Sequence, residues 1–333
     1  MLVLGIETSC DETSAAVVDK NRIRSNIIAT QQVHIKYGGV VPEFASRAHV
    51  KQLQHIVELA LREADCALNN INGIAVTYGP GLAGSLLVGL CFAKGLALRL
   101  KIPFIGINHL EGHILATATN EPKQEYPYIC LVASGGHTLL VYVAKPLVYE
   151  VIGSTIDDAA GEAFDKVAKI LGLGYPGGPA VEKAARLGNE LAVHFPRALL
   201  EPDNLNFSFS GLKTSVLYYV QSLSKDQLIT QVNDISASFQ KSVSDVLAAK
   251  AILAATKYDC KRLILAGGVA RNNHLRETFE KTCKNQAIAF AVPSPELCTD
   301  NAGMIARAGL MRLAKGEYSD YTLDVFPNLA LKT

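Results

Sequence analysis

The same short pattern occurs twice in this 333-residue chain, and it limits the folds that the chain can adopt. Segment 2–18 is apolar, then polar over 7–14, then apolar again, which is typical of a strand, a tight turn and a second strand. Segment 128–143 repeats this order around the small, polar residues 133–138. Because each hairpin opens a half-chain of mixed strands and helices, we predict a duplicated α/β domain with a ligand between the copies.

Two histidines four residues apart, His109 and His113, follow an apolar run that ends at Ile107. Residues at this spacing share one face of a helix, so both imidazoles could bind one metal ion. A polar helix face without a metal is the alternative interpretation of so short a motif. Glu111 lies about 200° round the helix from His109, so its carboxylate would point away from the metal. A metalloprotease base must lie beside the metal-bound water, and this segment is badly arranged for that role.

A third metal ligand must come from elsewhere in the chain, and we select Asp300. It lies in a polar segment directly before a predicted helix. An aspartate at such a position is by default the N-cap of the helix. As a ligand, however, its carboxylate would complete an open site of two imidazoles and one oxygen, with positions left for water or substrate.

Glycine-rich turns are candidate sites for a phosphate. Gly135 and Gly136 lie in the second hairpin turn, where backbone amides could approach an anion closely. Segment 263–273 is typical of a buried strand, a double-glycine turn and a helix start, which also favours an anionic or polar ligand. A glycine-rich hairpin without a ligand stays open as the alternative for the first of these turns.

Composition narrows the class of protein. With 49% hydrophobic and 19% charged residues the chain is typical of a globular protein, and its net charge of +1 does not indicate a nucleic-acid-binding protein. Any RNA contact must therefore use a local patch. Arg47, His49, Lys51 and His55 form one candidate on a predicted helix, with a solvated helix face as the alternative.

We expect neither export nor membrane insertion. The N-terminal residues run directly into a strand-like pattern with no signal sequence, which predicts a cytoplasmic protein. The longest apolar stretch, 82–100, contains glycines and basic residues, so it is a poor membrane span but a good buried or partner-facing helix. Its strip of small residues, Gly81, Ser85 and Gly89, could pack in a core or against another subunit. The seven cysteines include no C-x-x-C pair and indicate no disulfide framework.

These motifs resemble the universal family that makes threonylcarbamoyladenosine in tRNA, in its bacterial TsaD type, formerly described as an O-sialoglycoprotein endopeptidase. The resemblance covers essentially the whole chain. The segments that carry it are 5–13, His109 with His113, 134–138, 158–165, 175–178, 207–213, 267–269 and 298–301.

The resemblance implies an α/β fold of the actin-like, Hsp70-like (ASKHA) class, with two tandem RNase H-like domains and a cleft between them. The N-terminal, partner-binding domain would be 1–125, with His109 and His113. The C-terminal, nucleotide-binding domain would be 126–333, with Asp300, and its last helix could pack back on the first domain. The two histidines and Asp300 are implied to bind one divalent metal, iron first and zinc as the alternative. The residues implied to hold the nucleotide part of the substrate are Val132, Ala133, Ser134, Gly135, Gly136, Asp165, Gly178, Glu182 and Asn272.

The implied reaction moves a threonylcarbamoyl group from threonylcarbamoyl-AMP to the exocyclic amine of the adenosine 3′ of the anticodon, in tRNAs that read codons beginning with A. ATP-like or AMP-like ligands would fit the same site. No serine or cysteine nucleophile is needed, because a mixed anhydride is already activated. Asp11 and Glu12, in the first hairpin turn, are candidates to orient the amine or accept its proton, with simple turn polarity as the alternative.

Besides tRNA, the resemblance implies three protein partners. These are a shorter paralogous subunit of the TsaB type that pairs through the first domain, an ATPase subunit of the TsaE type, and a TsaC/Sua-type enzyme that supplies the adenylate. We place part of the pairing surface on the strip Gly81, Ser85 and Gly89. Two other functional classes stay open, a metal-dependent glycoprotein endopeptidase and an actin-fold ATPase or sugar kinase.

Overall fold

The computed structural model describes residues 1–119, 125–198, 201 and 203–331. The strands, in chain order, are β1 (Val3–Glu7), β2 (Glu12–Val18), β3 (Ile23–Thr30), β4 (Gly73–Gly79), β5 (Phe104–Asn108), β6 (Tyr128–Ala133), β7 (Thr138–Lys145), β8 (Val148–Ser154), β9 (Arg262–Ala266) and β10 (Ala289–Ala291). The α-helices are α1 (Pro42–Glu63), α2 (Ala83–Leu100), α3 (His109–Leu115), α4 (Ala160–Ile170), α5 (Gly177–Ala185), α6 (Ser210–Gln221), α7 (Lys225–Lys257), α8 (Asn273–Asn285), α9 (Pro295–Cys298) and α10 (Ala302–Leu313). Short 3₁₀ helices cover Gln32–Tyr37, Leu68–Asn70, Ala116–Thr119 and Gly268–Arg271.

The chain forms two compact units that share one sheet topology. Unit 1 comprises Met1–Gln124 and Pro293–Lys332, and unit 2 comprises Glu125–Val292. The five-stranded sheet of unit 1 has the order β3-β2-β1-β4-β5, and that of unit 2, taken in the same sense, has the order β8-β7-β6-β9-β10. In each sheet the first hairpin strand pairs antiparallel with the next strand and parallel with the fourth. The predicted duplicated α/β architecture is therefore confirmed.

Helices α1 and α2 cover one face of the unit 1 sheet. Successive side chains of a strand point to opposite faces, so Leu4 and Ile6 of β1 point to the same one. They belong to a buried cluster that includes Leu53 of α1 and Leu90 of α2. Removal of this apolar surface from water stabilises the unit and holds the carboxyl end of β1 in place.

Helix α10 covers the other face of this sheet, packing on β1, β2 and β4. Small residues allow the close approach: a Cβ added to Gly5 would lie 2.3 Å from the carbonyl oxygen of Ala302, and one added to Gly309 would lie 2.2 Å from the Cβ of Ala75. Residues 293–332 therefore belong to unit 1. Asp300 accordingly lies in unit 1, whereas the sequence analysis assigned it to 126–333 and left open that the last helix packs on the first domain.

Helix α2 packs against α1 and β4 inside unit 1. Among the described residues, it is the one helix that is long and apolar enough to cross a membrane, a criterion of length and composition that core helices also meet. About one third of its residues are buried in the unit. Alone, this feature is weak evidence for a membrane protein.

The small-residue strip faces the inside of unit 1. Ser85 and Gly89 are buried, the hydroxyl of Thr8 donates a hydrogen bond to the Ser85 carbonyl oxygen at 2.8 Å, and Gly81 lies against the backbone of Ser9. The prediction that this strip forms part of a pairing surface is therefore wrong. Its small residues instead let the turn after β1 approach the start of α2.

Candidate metal centre

The two histidines of the sequence motif lie on one short helix, as predicted. Strand β5 ends at Asn108, whose side chain caps α3 by accepting a hydrogen bond from the Leu110 amide at 2.9 Å. His109 and His113 then follow one turn apart, with ring centroids 4.7 Å from each other. Both side chains are buried. The strand and the cap together fix the orientation of both imidazoles.

Asp300 completes the cluster that the sequence predicted. Its Oδ1 lies 3.3 Å from His109 Nε2 and 3.2 Å from His113 Nε2. The N-cap of α10 is the next residue, Asn301, whose Oδ1 accepts a hydrogen bond from the Met304 amide at 3.0 Å. Because Asn301 caps the helix, the Asp300 carboxylate is available to a ligand. One ligand atom from each of the three side chains lies within 4.8 Å of the others, which suits a single metal ion.

His113 provides the observation that fits a metal most directly. Its side chain is fully buried, and within the described part of the chain neither ring nitrogen has a hydrogen bond of good geometry. A buried polar group without a partner costs free energy, and metal coordination through Nε2 would offset that cost. Two imidazoles and one carboxylate form a donor set that suits Fe²⁺ and Zn²⁺.

The electrostatics of the cluster favour a cation. Burial raises the pKa of Asp300, but His109 and His113 outweigh it and hold that pKa well below its ordinary value. Burial lowers the pKa of His109, but Asp300 and Glu7 outweigh it and raise that pKa well above its ordinary value. For His113 burial prevails, and its pKa is lowered. The aspartate is therefore negatively charged between the two imidazoles.

Glu7 is a buried carboxylate behind His109, and the sequence interpretation gave it no role. Its Oε2 lies 3.0 Å from His109 Nδ1 and accepts a hydrogen bond from the hydroxyl of Thr77 at 2.6 Å. Its Oε1 accepts from the backbone amide of Ser9. The available signal was a carboxylate at the end of an otherwise apolar strand.

Asp11 and Glu12 lie in unit 1 with the metal cluster. The Asp11 carbonyl accepts a hydrogen bond from the Gln31 amide at 3.1 Å, and Glu12 opens β2 opposite Thr30. Burial raises the pKa of Glu12 well above its ordinary value, and the carboxylates of Asp300 and Asp11 raise it further. Glu12 therefore lies within the electrostatic field of Asp300. The role of both residues in a reaction stays a prediction.

Glu111 takes part in a separate ion pair, in agreement with its predicted direction away from the metal. Arg312 of α10 donates to its carboxylate through Nη2 at 2.7 Å and through Nε at 3.0 Å. The same guanidinium contacts Glu317. Since this carboxylate is held by an arginine, it is not placed to act as the base of a metallopeptidase.

The predicted phosphate-binding turn of unit 2 lies between β6 and β7. The Ser134 amide donates to the His137 carbonyl at 2.8 Å, and the His137 amide donates to the Ser134 hydroxyl at 3.2 Å. Gly135 and Gly136 are exposed, and an added Cβ on either would meet no described atom within 4 Å. Val132 and Ala133 are fully buried strand residues, so any contact that they make with a ligand is limited to the backbone.

Two further predicted nucleotide residues hold neighbouring backbone groups. Asp165 Oδ1 accepts a hydrogen bond from the Gly177 amide at 2.7 Å, directly before Gly178. Glu182 Oε1 accepts from the backbone and side-chain nitrogens of Asn273 at 3.2 Å and 2.8 Å. The first bond joins the middle of α4 to the start of α5, and the other two connect α5 to the start of α8.

Asn272 is engaged at both ends of its side chain. Its Oδ1 accepts from the Leu275 amide at 2.9 Å and so caps α8, and its Nδ2 donates to Gln240 Oε1 at 2.7 Å. A direct side-chain contact with a nucleotide would have to replace one of these bonds. Its predicted binding role therefore depends on a change in this network.

The fold and the site together define a class, a duplicated α/β protein of the actin-like type with a histidine–carboxylate centre in one unit. HypF from T. kodakarensis shares the fold with a TM-score of 0.64 at 16% identity, over 95% of this chain and 48% of that chain. The chain thus spans about half the length of that HypF chain. The activator of the 2-hydroxyisocaproyl-CoA dehydratase from Clostridium difficile, with bound ADPNP, shares it with a TM-score of 0.54 at 13% identity, over 96% of this chain and 99% of that chain. The predicted fold class is confirmed.

Sequence similarity identifies the family within this class. The profile of the family TsaD, tRNA N6-adenosine threonylcarbamoyltransferase, matches residues 22–307. A protein of that description from Caldicellulosiruptor saccharolyticus is 52% identical over 333 residues, covering 99% of this chain and 98% of the relative. Another from Thermosipho africanus is 50% identical over 332 residues, covering 99% of this chain and 100% of the relative. The chain belongs to the tRNA N6-adenosine threonylcarbamoyltransferase family, as its motifs predicted.

Proposed function

We propose that this protein transfers a threonylcarbamoyl group from threonylcarbamoyl-AMP to N6 of the adenosine 3′ of the anticodon, in tRNAs that read codons beginning with A. The observation that carries the proposal is 52% identity over 99% of the chain to a relative of that description. The cluster of His109, His113 and Asp300 adds support, because these side chains could hold a divalent metal in the same unit as Asp11 and Glu12.

The reaction needs an activated acyl donor and a positioned amine. The N6 nitrogen attacks the carbamoyl carbon, the new C–N bond forms, and the bond from that carbon to the phosphate oxygen breaks, so that AMP leaves as an anion. Asp11 and Glu12 orient the amine, and a carboxylate of this pair accepts its proton. The turn with Ser134 and the exposed Gly135 and Gly136 holds the AMP portion through backbone amides.

His109, His113 and Asp300 would hold the metal, with iron as our first choice and zinc as the alternative. When bound, the ion supplies Lewis-acid stabilisation for negative charge that develops on the acyl phosphate. The fold keeps the three ligands in fixed positions. His109 and His113 lie on a capped helix, and Asp300 lies on the segment directly before α10.

The test is reconstitution with Fe²⁺-loaded protein, tRNA, synthetic threonylcarbamoyl-AMP and the two proposed partner subunits, followed by mass analysis of the tRNA nucleosides. We expect threonylcarbamoyladenosine with the wild type, its loss with His109→Ala or Asp300→Ala, and its retention with His55→Ala, an exposed histidine of α1. A glycoprotein incubated with the loaded protein should stay intact. Full activity of Asp300→Ala, or wild-type protein that leaves the tRNA unmodified, would contradict the proposal.

We also propose the three protein partners that the family resemblance implies, and we move the pairing surface to the outer face of α2. Leu87, Cys91 and Leu98 lie there, at helical spacing, and all three are exposed. The occupant that we propose is the shorter paralogous subunit. The adenylate comes from a separate TsaC/Sua-type enzyme, and the TsaE-type ATPase joins the pair.

Size-exclusion chromatography of the two subunits tests this surface. Leu98→Glu should abolish the heterodimer without lowering the melting temperature, because an exposed side chain contributes little to the fold. Leu191→Glu is the matched control, since Leu191 is an exposed leucine of unit 2. Equal pairing by wild type and Leu98→Glu would exclude the outer face of α2.

A further inference from the structure

We propose that Glu7 is the outer-sphere carboxylate of the metal centre, a positioning residue that fixes His109 and tightens metal binding without being a ligand. The inference rests on the proposed metal site of His109, His113 and Asp300. It adds a residue that acts on the metal through His109.

Three groups fix the Glu7 carboxylate, which is completely buried. Oε1 accepts a hydrogen bond from the Ser9 amide, and Oε2 accepts from the Thr77 hydroxyl at 2.6 Å. The third contact joins Oε2 to His109 Nδ1 at 3.0 Å. A carboxylate that is held from two other directions is a rigid support for the imidazole.

His109 Nδ1 faces Glu7 Oε2 at 3.0 Å and the Ser9 hydroxyl at 3.2 Å, which leaves Nε2 as the nitrogen that is free for a metal. The carboxylate accepts a hydrogen bond from Nδ1, so Nδ1 carries the hydrogen, and in the neutral ring that binds a metal the lone pair is on Nε2. Nε2 is the nitrogen that lies 3.3 Å from Asp300 Oδ1. Metal-binding histidines commonly donate their second N–H to a carboxylate in this way, which orients the ring and makes it a stronger ligand.

The two histidines of the site are therefore not equivalent. His113 Nδ1 has no hydrogen-bond partner among the residues that the structure covers, so a carboxylate supports His109 alone. Loss of Glu7 should accordingly change the His109 half of the site and leave the His113 half as it is.

The negative charge of Glu7 also supports a role at the metal centre. In the described parts of unit 1, the Glu7 carboxylate lies 3.0 Å from His109, which is neutral when it binds a metal, and it forms no ion pair with a lysine or arginine. A buried carboxylate is stable only when its charge is compensated. The charges of Glu7 and Asp300 together match those of one divalent ion, which would compensate both.

The fold places Glu7 and Thr77 side by side. Strands β1 and β4 are parallel neighbours with Ile6 opposite Val76, so the next residues, Glu7 and Thr77, lie in the carboxyl-terminal halves of the two strands. Both belong to central strands of the sheet. The support for His109 is thus built on the most rigid part of the unit.

Metal affinity tests the proposal. The full-length protein is titrated with Co²⁺ in competition with a chromogenic chelator. Glu7→Gln keeps the size of the side chain and removes its charge, and we expect about 10- to 100-fold weaker binding, the usual effect of changing an outer-sphere partner. The visible absorption of bound Co²⁺ should also shift. Thr77→Val leaves Glu7 in place but removes one of its donors, so it should weaken binding less, and it tests the proposal if Glu7→Gln does not fold.

Asp19→Asn is the control, because Asp19 is a carboxylate of the same unit whose partner is Arg24. Its Co²⁺ affinity should equal that of the wild type. If Glu7→Gln, or Thr77→Val where the first variant is unfolded, binds Co²⁺ with wild-type affinity and an unchanged spectrum, Glu7 has no such role. A wild-type protein that binds no Co²⁺ would overturn the metal site itself and the role of Glu7 with it.

Discussion

A buried histidine, His49, connects α1 to the turn that carries Asp11. Its side chain is fully buried, with Nδ1 2.8 Å from the Thr13 hydroxyl and Nε2 2.9 Å from the Cys10 carbonyl oxygen. A carbonyl oxygen can only accept, so Nε2 carries the proton and Nδ1 accepts from Thr13. Burial lowers the pKa of His49, in agreement with a neutral ring. One neutral imidazole thus joins α1 to Cys10 of the turn and to Thr13 of β2.

We expect His49→Ala to lower the free energy of unfolding by about 2 to 4 kcal/mol, because it leaves a cavity and a buried carbonyl without a partner. Urea unfolding followed by circular dichroism measures the change. His55→Ala, on the exposed face of the same helix, should stay within about 0.5 kcal/mol of the wild type. Equal effects of the two substitutions would show that His49 has no structural role.

The basic patch that the sequence predicted on α1 is wrong for His49, because this side chain is buried and points into unit 1.

Asp157 binds the start of α6 in unit 2. Its Oδ1 accepts hydrogen bonds from the amides of Phe209 and Ser210 at 2.8 Å and 3.2 Å, and its Oδ2 accepts from the hydroxyls of Ser208 and Ser210. Burial raises the pKa of Asp157, but these bonds outweigh it and lower that pKa below the ordinary value of 3.8. The carboxylate therefore acts as the cap of a helix whose own N-cap side chain makes no such bond.

The stabilisation by Asp157 should depend on pH. Because its pKa is lower in the folded state, the contribution is complete above the unfolded value of 3.8 and is lost as the pH falls through the folded value. Asp157→Ala should lower the free energy of unfolding by about 1 kcal/mol at neutral pH, the usual effect of losing a cap. The difference from the wild type should shrink in urea titrations that are carried well below the unfolded value of 3.8. A difference that is constant across this range would contradict the assignment.

Single residues of the site were predictable to different degrees. His109 and His113 were visible because a helix brings residues four apart to one face, and Asp300 because a ligand was needed to complete the site. Glu7 was not visible, since its contact with His109 joins residues that are 102 positions apart in the sequence. Long-range contacts of this kind depend on strand order, which local patterns do not contain.

At the scale of secondary-structure elements, α10 decides where Asp300 lies. The helix begins at Ala302, two residues after the ligand, and its Gly309 lies against Ala75 of β4. An added Cβ would lie 2.2 Å from that of Ala75, so the helix cannot keep its place beside a larger residue. The packing of α10 and the position of the third ligand are therefore connected.

We expect Gly309→Ala to lower the free energy of unfolding by about 1 to 3 kcal/mol, the usual effect of overpacking a core. The displaced helix should also weaken Co²⁺ binding through Asp300. Gly95→Ala on α2 is the matched control, because no described atom lies within 4 Å of its added Cβ, and it should be neutral or stabilising by up to about 1 kcal/mol. Chemical unfolding and Co²⁺ titration of both variants check this. Equal stability and equal Co²⁺ affinity of the two variants would show that the contact between Gly309 and Ala75 does not fix the position of α10.

The helices and strands themselves were predicted better than the contacts between them. The two hairpins and α3 follow from short apolar and polar periods that each segment carries locally. The return of α10 to the first sheet was left open, because a local apolar pattern predicts a helix but not the sheet on which it packs. The small residues Gly5, Ala75 and Gly309 favour the pairing with unit 1, and they are recognisable as partners only once the strand order is known.

At the scale of the whole molecule, both ends of the sequence build one unit. Beyond α10 the chain continues along unit 1, where the Ser319 amide donates to the Phe104 carbonyl at 2.8 Å and the Phe326 amide donates to that of Tyr78 at 2.8 Å. The Asn108 side chain, which caps α3, donates to the Ala330 carbonyl at 3.1 Å. Unit 1 is therefore complete only when residues after 293 are present.

This arrangement predicts which fragments of the chain fold. Residues 1–125 alone lack α10 and the segment after it, so they expose one apolar face of the unit 1 sheet and lose Asp300. Residues 126–292 retain the complete five-stranded sheet of unit 2 with its helices. We expect the first fragment to show no cooperative urea transition and no Co²⁺ binding, because the hydrophobic core of a domain provides most of its stability. The second fragment should unfold cooperatively. A cooperative transition for 1–125 would show that the sheet of unit 1 is stable without α10.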